Sequence, residues 1–276
     1  MKRRHDVLID AEACIGCGLC VSDCPERALV LEEGRARFAT ESCLMCGHCV
    51  AVCPRAAVSM TGFDEQPREL AGPSAVDPHR LEDALRARRS IRRFADEDVP
   101  AETVERIIEA GRLTPTARNA QDVSYVVLRG AGKDEAEARA VRLFRRVLPL
   151  AKLVMPAARR TNVDDRFFFK SAPVVVAVVA TSPVDGALAA SNMALMAEAH
   201  GLGVLYSGFF ALATRLSPAL RRQLGLERGH AVVTALVVGR PAVRYRRTAP
   251  KEAASVRLVE RLLPGFVPAL RPSRAA

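Results

Sequence analysis

Cys14-Ile15-Gly16-Cys17-Gly18-Leu19-Cys20-Val21-Ser22-Asp23-Cys24-Pro25 is answered further along the chain by Cys43-Leu44-Met45-Cys46-Gly47-His48-Cys49-Val50-Ala51-Val52-Cys53-Pro54. Both stretches spell C-x2-C-x2-C-x3-C-P, and every cysteine of the second lies 29 residues after its counterpart in the first. All eight cysteines of the chain fall between Cys14 and Cys53, so thiol chemistry belongs to the first segment alone. A disulfide scaffold fits poorly, because the thiols are too closely spaced to staple a chain of this size and no export signal precedes them. Soft thiolates suit iron–sulfur clusters and zinc. Zinc also accepts C-x2-C pairs, but two complete four-cysteine runs, each closed by a proline, favour two [4Fe-4S] clusters. Gly16, Gly18 and Gly47 relieve crowding where backbone must wrap a cluster.

The paired runs resemble those of the two-cluster bacterial ferredoxins. In such modules the first three thiolates of a run hold one cluster and the fourth reaches across to the other. The resemblance therefore implies one cluster on Cys14, Cys17, Cys20 and Cys53, and its twin on Cys43, Cys46, Cys49 and Cys24. The constant displacement implies a duplicated unit with pseudo-twofold symmetry. With the cysteines filling both clusters, His48 reads as a side chain that either supports a ligand cysteine or faces solvent rather than as a ligand itself.

Working outward, a chain of 276 residues has room for a small domain and a larger one. The cysteine module spans residues 1–62. Residues 63–78 turn to Pro, Gly, Glu and Ser, the composition of an irregular linker. The second domain, 79–276, ends in a basic tail: from Arg240 onward nine Lys/Arg stand against Glu252 and Glu260. Its start and residues 101–113 carry apolar positions at helical spacing. Residues 124–128, 174–179 and 231–238 are rich in β-branched side chains and read as strands. Ser182-Pro183 and Ser217-Pro218 each open a helix, the first closing at His200-Gly201. Helices interspersed with widely separated strands predict an α+β domain, a sheet sandwiched by helices.

Composition narrows the partners. Hydrophobic residues make up 49% and charged residues 26%, as in a globular protein with a buried core. The longest apolar stretches, 172–180 and 231–238, are far below the roughly 20 residues a membrane helix needs. With no apolar run at the start, we expect a cytoplasmic protein without a membrane partner. Residues 1–62 hold seven Lys/Arg against eight Asp/Glu, so the net charge of +10 arises beyond them. Nucleic acid is not expected: no recognition module is visible, and an aromatic content of 5% leaves little for base stacking. A phosphate-bearing cofactor and an acidic protein partner explain the charge better.

Arg88-Arg89-Ser90-Ile91-Arg92-Arg93-Phe94 concentrates guanidinium groups beside a hydroxyl at the end of the first helix, suited to gripping a phosphate. Residues 114–121, Thr-Pro-Thr-Ala-Arg-Asn-Ala-Gln, offer hydroxyls and amides in a Pro-interrupted loop before a strand. Gly130-Ala131-Gly132-Lys133 is too short for a Walker loop and reads as a turn before a helix. The charged helix from Asp134, with residues 159–170, forms either a lid or ordinary peripheral packing. In order along the chain, residues 79–252 resemble the nitroreductase family of FMN enzymes, which includes fusions to ferredoxin modules. Arg88 to Phe94 match an R-x-S-x-R-x-F element, and Pro115 to Gln121 match a P-S-x-x-N-x-Q loop, with Thr116 keeping the hydroxyl. The family's next two residues, Pro-Trp, are here Asp122-Val123. Residues 191–197, 201–209, 237–241 and Pro250-Lys251 resemble its central helix, flavin-facing turn, closing strand and phosphate element.

That resemblance implies FMN held at its phosphate or ribityl chain by Arg88, Ser90 and Lys251, with Arg89 adjacent. Arg92 falls near the pyrimidine edge, and Ser207-Gly208 brings an amide near N5. Pro115, Thr116 and Asn119 come from the second subunit of a homodimer. It also implies an oxidoreductase: electrons enter through the clusters from an acidic, ferredoxin-like donor or from NAD(P)H, and an electron-poor small molecule such as a nitro compound or quinone is reduced. The alternative is an electron-transfer component that passes electrons to a partner protein.

Overall fold

The structure, a computed structural model, describes residues 5–40, 42–72 and 76–259; the end of the basic tail, 260–276, lies outside them. The sequence repeat becomes a spatial one. The first module runs β1 (Val7–Ile9), α1 (Leu19–Ser22), β2 (Leu29–Glu32), β3 (Arg35–Phe38), α2 (His48–Val52) and β4 (Val58–Met60). β2 and β3 form an antiparallel hairpin, while β1 reaches across the module to pair with β4. A shift of 29 residues carries one ladder onto the other: Leu31 opposite Ala36 becomes Met60 opposite Val7, and Leu29 opposite Phe38 becomes Val58 opposite Ile9. Backbone conformation repeats with it. Gly18 and Gly47, which precede α1 and α2, have φ of 75° and 74°, a region open to glycine at little steric cost.

Between Thr61 and Asp77 no described residue lies in a helix or strand, and Pro78, which the composition assigns to the linker, is already the first residue of a helix. The second domain continues with α3 (Pro78–Ala87), α4 (Ala101–Arg112), β5 (Ser124–Leu128), α5 (Gly130–Val154), β6 (Val174–Ala180), α6 (Pro183–Ala199), β7 (Gly203–Tyr206), α7 (Gly208–Leu216), α8 (Pro218–Gln223) and β8 (Ala231–Gly239). Its four strands lie in the order β5-β6-β8-β7, each neighbour antiparallel. β6 is buried along its whole length, because both faces of the sheet are covered. Val175, Ala177 and Val179 pack with Ala140 and Phe144 of α5, Phe210 of α7 and Leu220 of α8. The alternate residues Val174, Val176 and Val178 pack with Val104 and Ile107 of α4 and Met193 of α6. The period-two alternation of a strand thus feeds two separate cores.

Three helices begin as their sequences require. Asp77, Ser182 and Ser217 each accept a backbone N–H with the side chain, and a proline stands after each at the first helical position. Other expectations need correction. The arginine-rich stretch is not the end of a helix: α3 stops at Ala87, and Ser90 instead bridges Val204 in parallel, extending the sheet past β7. β7 is a strand where the sequence suggests only a turn, and α7 after it carries no clear sequence signal. The 130–133 segment is the first turn of α5, not a turn ahead of it. Residues 159–170 pack into the core through the buried rings of Phe168 and Phe169, whose N–H groups donate to Glu137 at 3.0 and 2.7 Å.

α4 crosses α6 closely at Gly111. A Cβ there would stand 2.5 Å from the Tyr125 hydroxyl and 2.8 Å from Met193 Sδ. Gly111→Ala is therefore expected to destabilise the second domain by about 1–3 kcal/mol, the range for overpacking a filled site. Chemical denaturation checks it, and an unchanged midpoint would mean that the two helices separate freely.

Candidate functional site

Folding sorts the eight cysteines into two sets that chain order does not give. One cavity is lined by Cys14, Cys17 and Cys20 together with Cys53 from the second run. The other is lined by Cys43, Cys46 and Cys49 together with Cys24 from the first. The exchange arises from the pseudo-twofold fold, in which the last cysteine of each run lies beyond its helix and beside the other loop. The thiols ring a space rather than a point: among the described residues no three His, Cys, Asp or Glu side chains are placed to hold a single metal ion. Four thiolates around each space are the donor set a cubane takes.

Backbone amides are already aimed at the sulfurs. Ala28 N–H donates to Cys24 Sγ at 3.2 Å, and its repeat Ala57 N–H donates to Cys53 Sγ at 3.3 Å. The N–H of Ala36 donates to Cys14 Sγ and is the main cause drawing that thiol below its ordinary pKa. Burial pushes Cys20 and Cys49 the other way. Buried thiolates gain from the positive charge of a metal group, so these cavities suit one. His48 is exposed, with Nδ1 3.4 Å from Asp23 Oδ2, a solvent-facing position.

The second candidate region lies at the β7 edge. Ile91 N–H donates to Val204 O at 3.1 Å, Ala95 N–H to Arg240 O, and Ala242 N–H to Arg93 O. The arginine stretch is thereby held between β7 and the segment after β8. Residues distant in sequence meet here: Arg89 stacks over the Tyr245 ring at 5.1 Å, and Arg92 donates to Ser90 O. Arg88 Nη1 is buried, with no hydrogen-bond partner among the described residues. An unpaired buried guanidinium N–H is costly, and an anion would satisfy it. Burial raises the Glu198 carboxyl and the Tyr206 phenol, while the charge of Arg88 pulls both down. Ser207 is buried at the N-terminal end of α7 without capping the helix, and Gly208 N–H comes next. Lys251 is exposed.

The 114–121 loop lies elsewhere. Asn192 donates to Thr114 Oγ1 at 2.7 Å, and Ala117 N–H donates to the buried carboxylate of Asp185 at 3.2 Å, so α6 carries the loop. Thr116 accepts from Gln121 N–H, Pro115 is exposed, and Asn119 donates to the carbonyls of Leu44 and Met45. Arg118, Asn119 and Gln121 all have φ near 50°, an uncommon conformation outside glycine. Within one chain the structure does not bring Pro115, Thr116 or Asn119 to the arginine stretch. Asp185, Glu198 and Tyr206 were missed in the sequence. Only Asp185 had a signal, as an acidic residue in the first turn after Ser182-Pro183.

The chain belongs to the nitroreductase family, whose model matches residues 85–240. Residues 6–54 match the 4Fe-4S dicluster domain. A relative from Methanothermobacter thermautotrophicus bears the provisional name NADH dehydrogenase/NAD(P)H nitroreductase. It is 25% identical over 169 residues, which cover 58% of this chain and 76% of the relative. Among solved structures, a nitroreductase with bound FMN from Bacteroides fragilis has a TM-score of 0.54 at 22% identity, covering 65% of this chain and 98% of its own. One from Desulfitobacterium hafniense, also with bound FMN, has 0.53 at 20%, covering 64% and 98%. These likenesses establish the fold of the second domain. Among the described residues no helix is long and apolar enough to cross a membrane.

Proposed function

We propose that this chain is an FMN-dependent oxidoreductase that takes single electrons through two [4Fe-4S] clusters and reduces an electron-poor small molecule, such as a nitro compound or a quinone. The single observation carrying this reading is the pairing of two four-thiol cavities with an unsatisfied buried guanidinium in one chain. Cys14, Cys17, Cys20 and Cys53 hold one cluster; Cys43, Cys46, Cys49 and Cys24 hold the other. Arg88, Ser90 and Lys251 engage the phosphate or ribityl chain, with Arg89 steered by Tyr245. Arg92 supplies a fixed cation at the ring edge, and Gly208 N–H, preceded by Ser207, a donor at its reactive side.

A bound flavin supplies conversion between one-electron and two-electron chemistry. The chain binds, orients and shields it. Two electrons and two protons take a quinone to its hydroquinone, or a nitro group to a nitroso group and water. The donor is an acidic, ferredoxin-like carrier drawn to the basic surface beyond residue 62, with NAD(P)H as the rival donor. Truncation to a start near Ser74 tests the reading. The shortened protein is expected to keep its flavin and any NAD(P)H-driven turnover and to lose turnover driven by reduced ferredoxin. Ferredoxin-driven turnover that survives truncation removes the clusters from the path. Reduction of a partner protein but of no small acceptor would favour the electron-transfer alternative.

Pro115, Thr116 and the backbone of Asn119, whose amide is committed to the Leu44 and Met45 carbonyls, complete the site across a homodimer interface. Exposed apolar side chains on α5 (Leu150, Leu153), α6 (Val184, Leu188) and α7 (Phe209, Leu216) support a subunit contact. Sedimentation is expected to show a dimer that carries the flavin. A monomer retaining flavin and turnover contradicts the shared site.

A further inference from the structure

The two thiol-ringed cavities are related by symmetry but differ in what surrounds them. Leu44 and Glu26 line the second cavity. Asn119 Nδ2 donates to Leu44 O at 3.2 Å and to Met45 O at 2.8 Å, and Arg118 Nη2 lies 4.0 Å from Glu26 Oε1. Met45, Cys46 and Gly47 also form one wall of an open cleft whose other wall includes Arg112, Thr114 and Thr116 of the second domain. The first cavity faces outward. Cys17 is exposed, and Ile15 and Leu19 beside it are 61% and 44% exposed. Among the described residues, no hydrogen bond or ion pair joins a residue lining the first cavity to the second domain.

The repeat explains the asymmetry. The 29-residue counterparts of Leu44 and Met45 are Ile15 and Gly16. Gly16 lies against the β2–β3 turn so closely that a Cβ would stand 2.0 Å from Gly34 O. The counterpart of Gly34 is Phe63, where the chain leaves for the second domain and lines the cleft instead of closing a hairpin. The loop of the second run is therefore left open on the side that Asn119 reaches.

We infer that the cluster of the second cavity exchanges electrons with the second domain, that the cluster of the first cavity meets the external one-electron carrier, and that Asn119 positions the junction. This rests on the function proposed above. A cluster on Cys14, Cys17, Cys20 and Cys53 would take one electron from the carrier, and one on Cys43, Cys46, Cys49 and Cys24 would hand it to the second domain, each being left in its starting state. Two passes deliver a pair. The Asn119 amide places the positive ends of its N–H dipoles next to the Cys43–Cys46 loop, which favours the reduced, more negative cluster.

The test is an EPR-monitored redox titration of full-length, anaerobically purified Asn119→Ala and Asn119→Gln. Asn119→Ala is expected to lower the potential of one cluster, by about tenfold in the reduction equilibrium or about 59 mV for one electron. The other potential stays in place, and Asn119→Gln restores the first. Repeated in a Cys53→Ala background, which keeps the second-cavity cluster, the shift persists; in a Cys24→Ala background it vanishes. In the intact protein, a soluble paramagnetic chelate is expected to relax the unshifted cluster more strongly, which serves if either single-cluster variant fails to fold. A shift in the Cys24→Ala background, in both clusters or in neither overturns the inference, as does stronger relaxation of the shifted cluster. A protein with both clusters and no flavin would sink the proposed function, while the potential shift would still decide whether Asn119 sets the second cluster.

Discussion

Cys53→Ala is expected to cost the cluster proposed on Cys14, Cys17, Cys20 and Cys53 and to spare the one proposed on Cys43, Cys46, Cys49 and Cys24. Iron in anaerobically purified protein should fall from about eight to about four per chain, with sulfide in step. A three-thiol cavity with a methyl group at the fourth corner leaves one iron without a protein ligand, and Cys53 is also where Ala57 N–H directs its hydrogen bond. Double variants make the assignment decisive without spectroscopic labels. Cys14→Ala with Cys53→Ala damages one cavity twice, so iron should remain at about four. Cys14→Ala with Cys24→Ala damages both cavities, so iron should approach zero. Ligation in chain order would reverse these results, because Cys14 and Cys24 would then share one cluster. Zinc in place of iron in the anaerobic protein would end the cluster reading altogether.

Arg88→Ala is expected to loosen the proposed flavin by roughly tenfold to more than a hundredfold in Kd, since a charge-assisted hydrogen bond is worth about 1.5–3 kcal/mol. A structural arginine would predict the opposite balance of stabilities from a ligand-binding one. Its Nη1 is buried and unpartnered, so removing it relieves the flavin-free protein of an unsatisfied donor. The flavin-free variant should melt at or above the flavin-free wild type, whereas added FMN should raise the melting temperature of the wild type more. Lys251→Ala should weaken binding less, because an exposed ammonium is screened by water. Unchanged affinity in Arg88→Ala would remove this residue from the site.

Several features were legible in the sequence because their causes are local. Proline after Ser182 and Ser217 marks two helix starts, since the cap is made within the next three residues; the same pairing at Asp77-Pro78, read as linker, opens a third. β6 and β8 announce themselves as β-branched runs because both faces are buried. β7 was missed for a related reason: a run of only four residues opening on a glycine does not stand out as a strand, and the segment is one only because β8 supplies a ladder for it. The arginine stretch fails similarly. Its pairing with Val204 and with the segment after β8 joins residues more than a hundred positions apart.

By itself the sequence determined the presence, number and spacing of the thiols, the duplication of the unit that carries them and the α+β character of the second domain. Each is a property of composition or short-range periodicity, which needs no folded context to be read. Tertiary structure alone decided which domain surface each thiol cavity faces, that Arg88 is left with an unpaired buried N–H, and that Asn119 reaches the Cys43–Cys46 loop. Those outcomes depend on which surfaces close over one another once both cores are packed. A side chain becomes an orphan donor or a domain bridge only when distant segments have taken, or left open, the place of the water that would otherwise satisfy it.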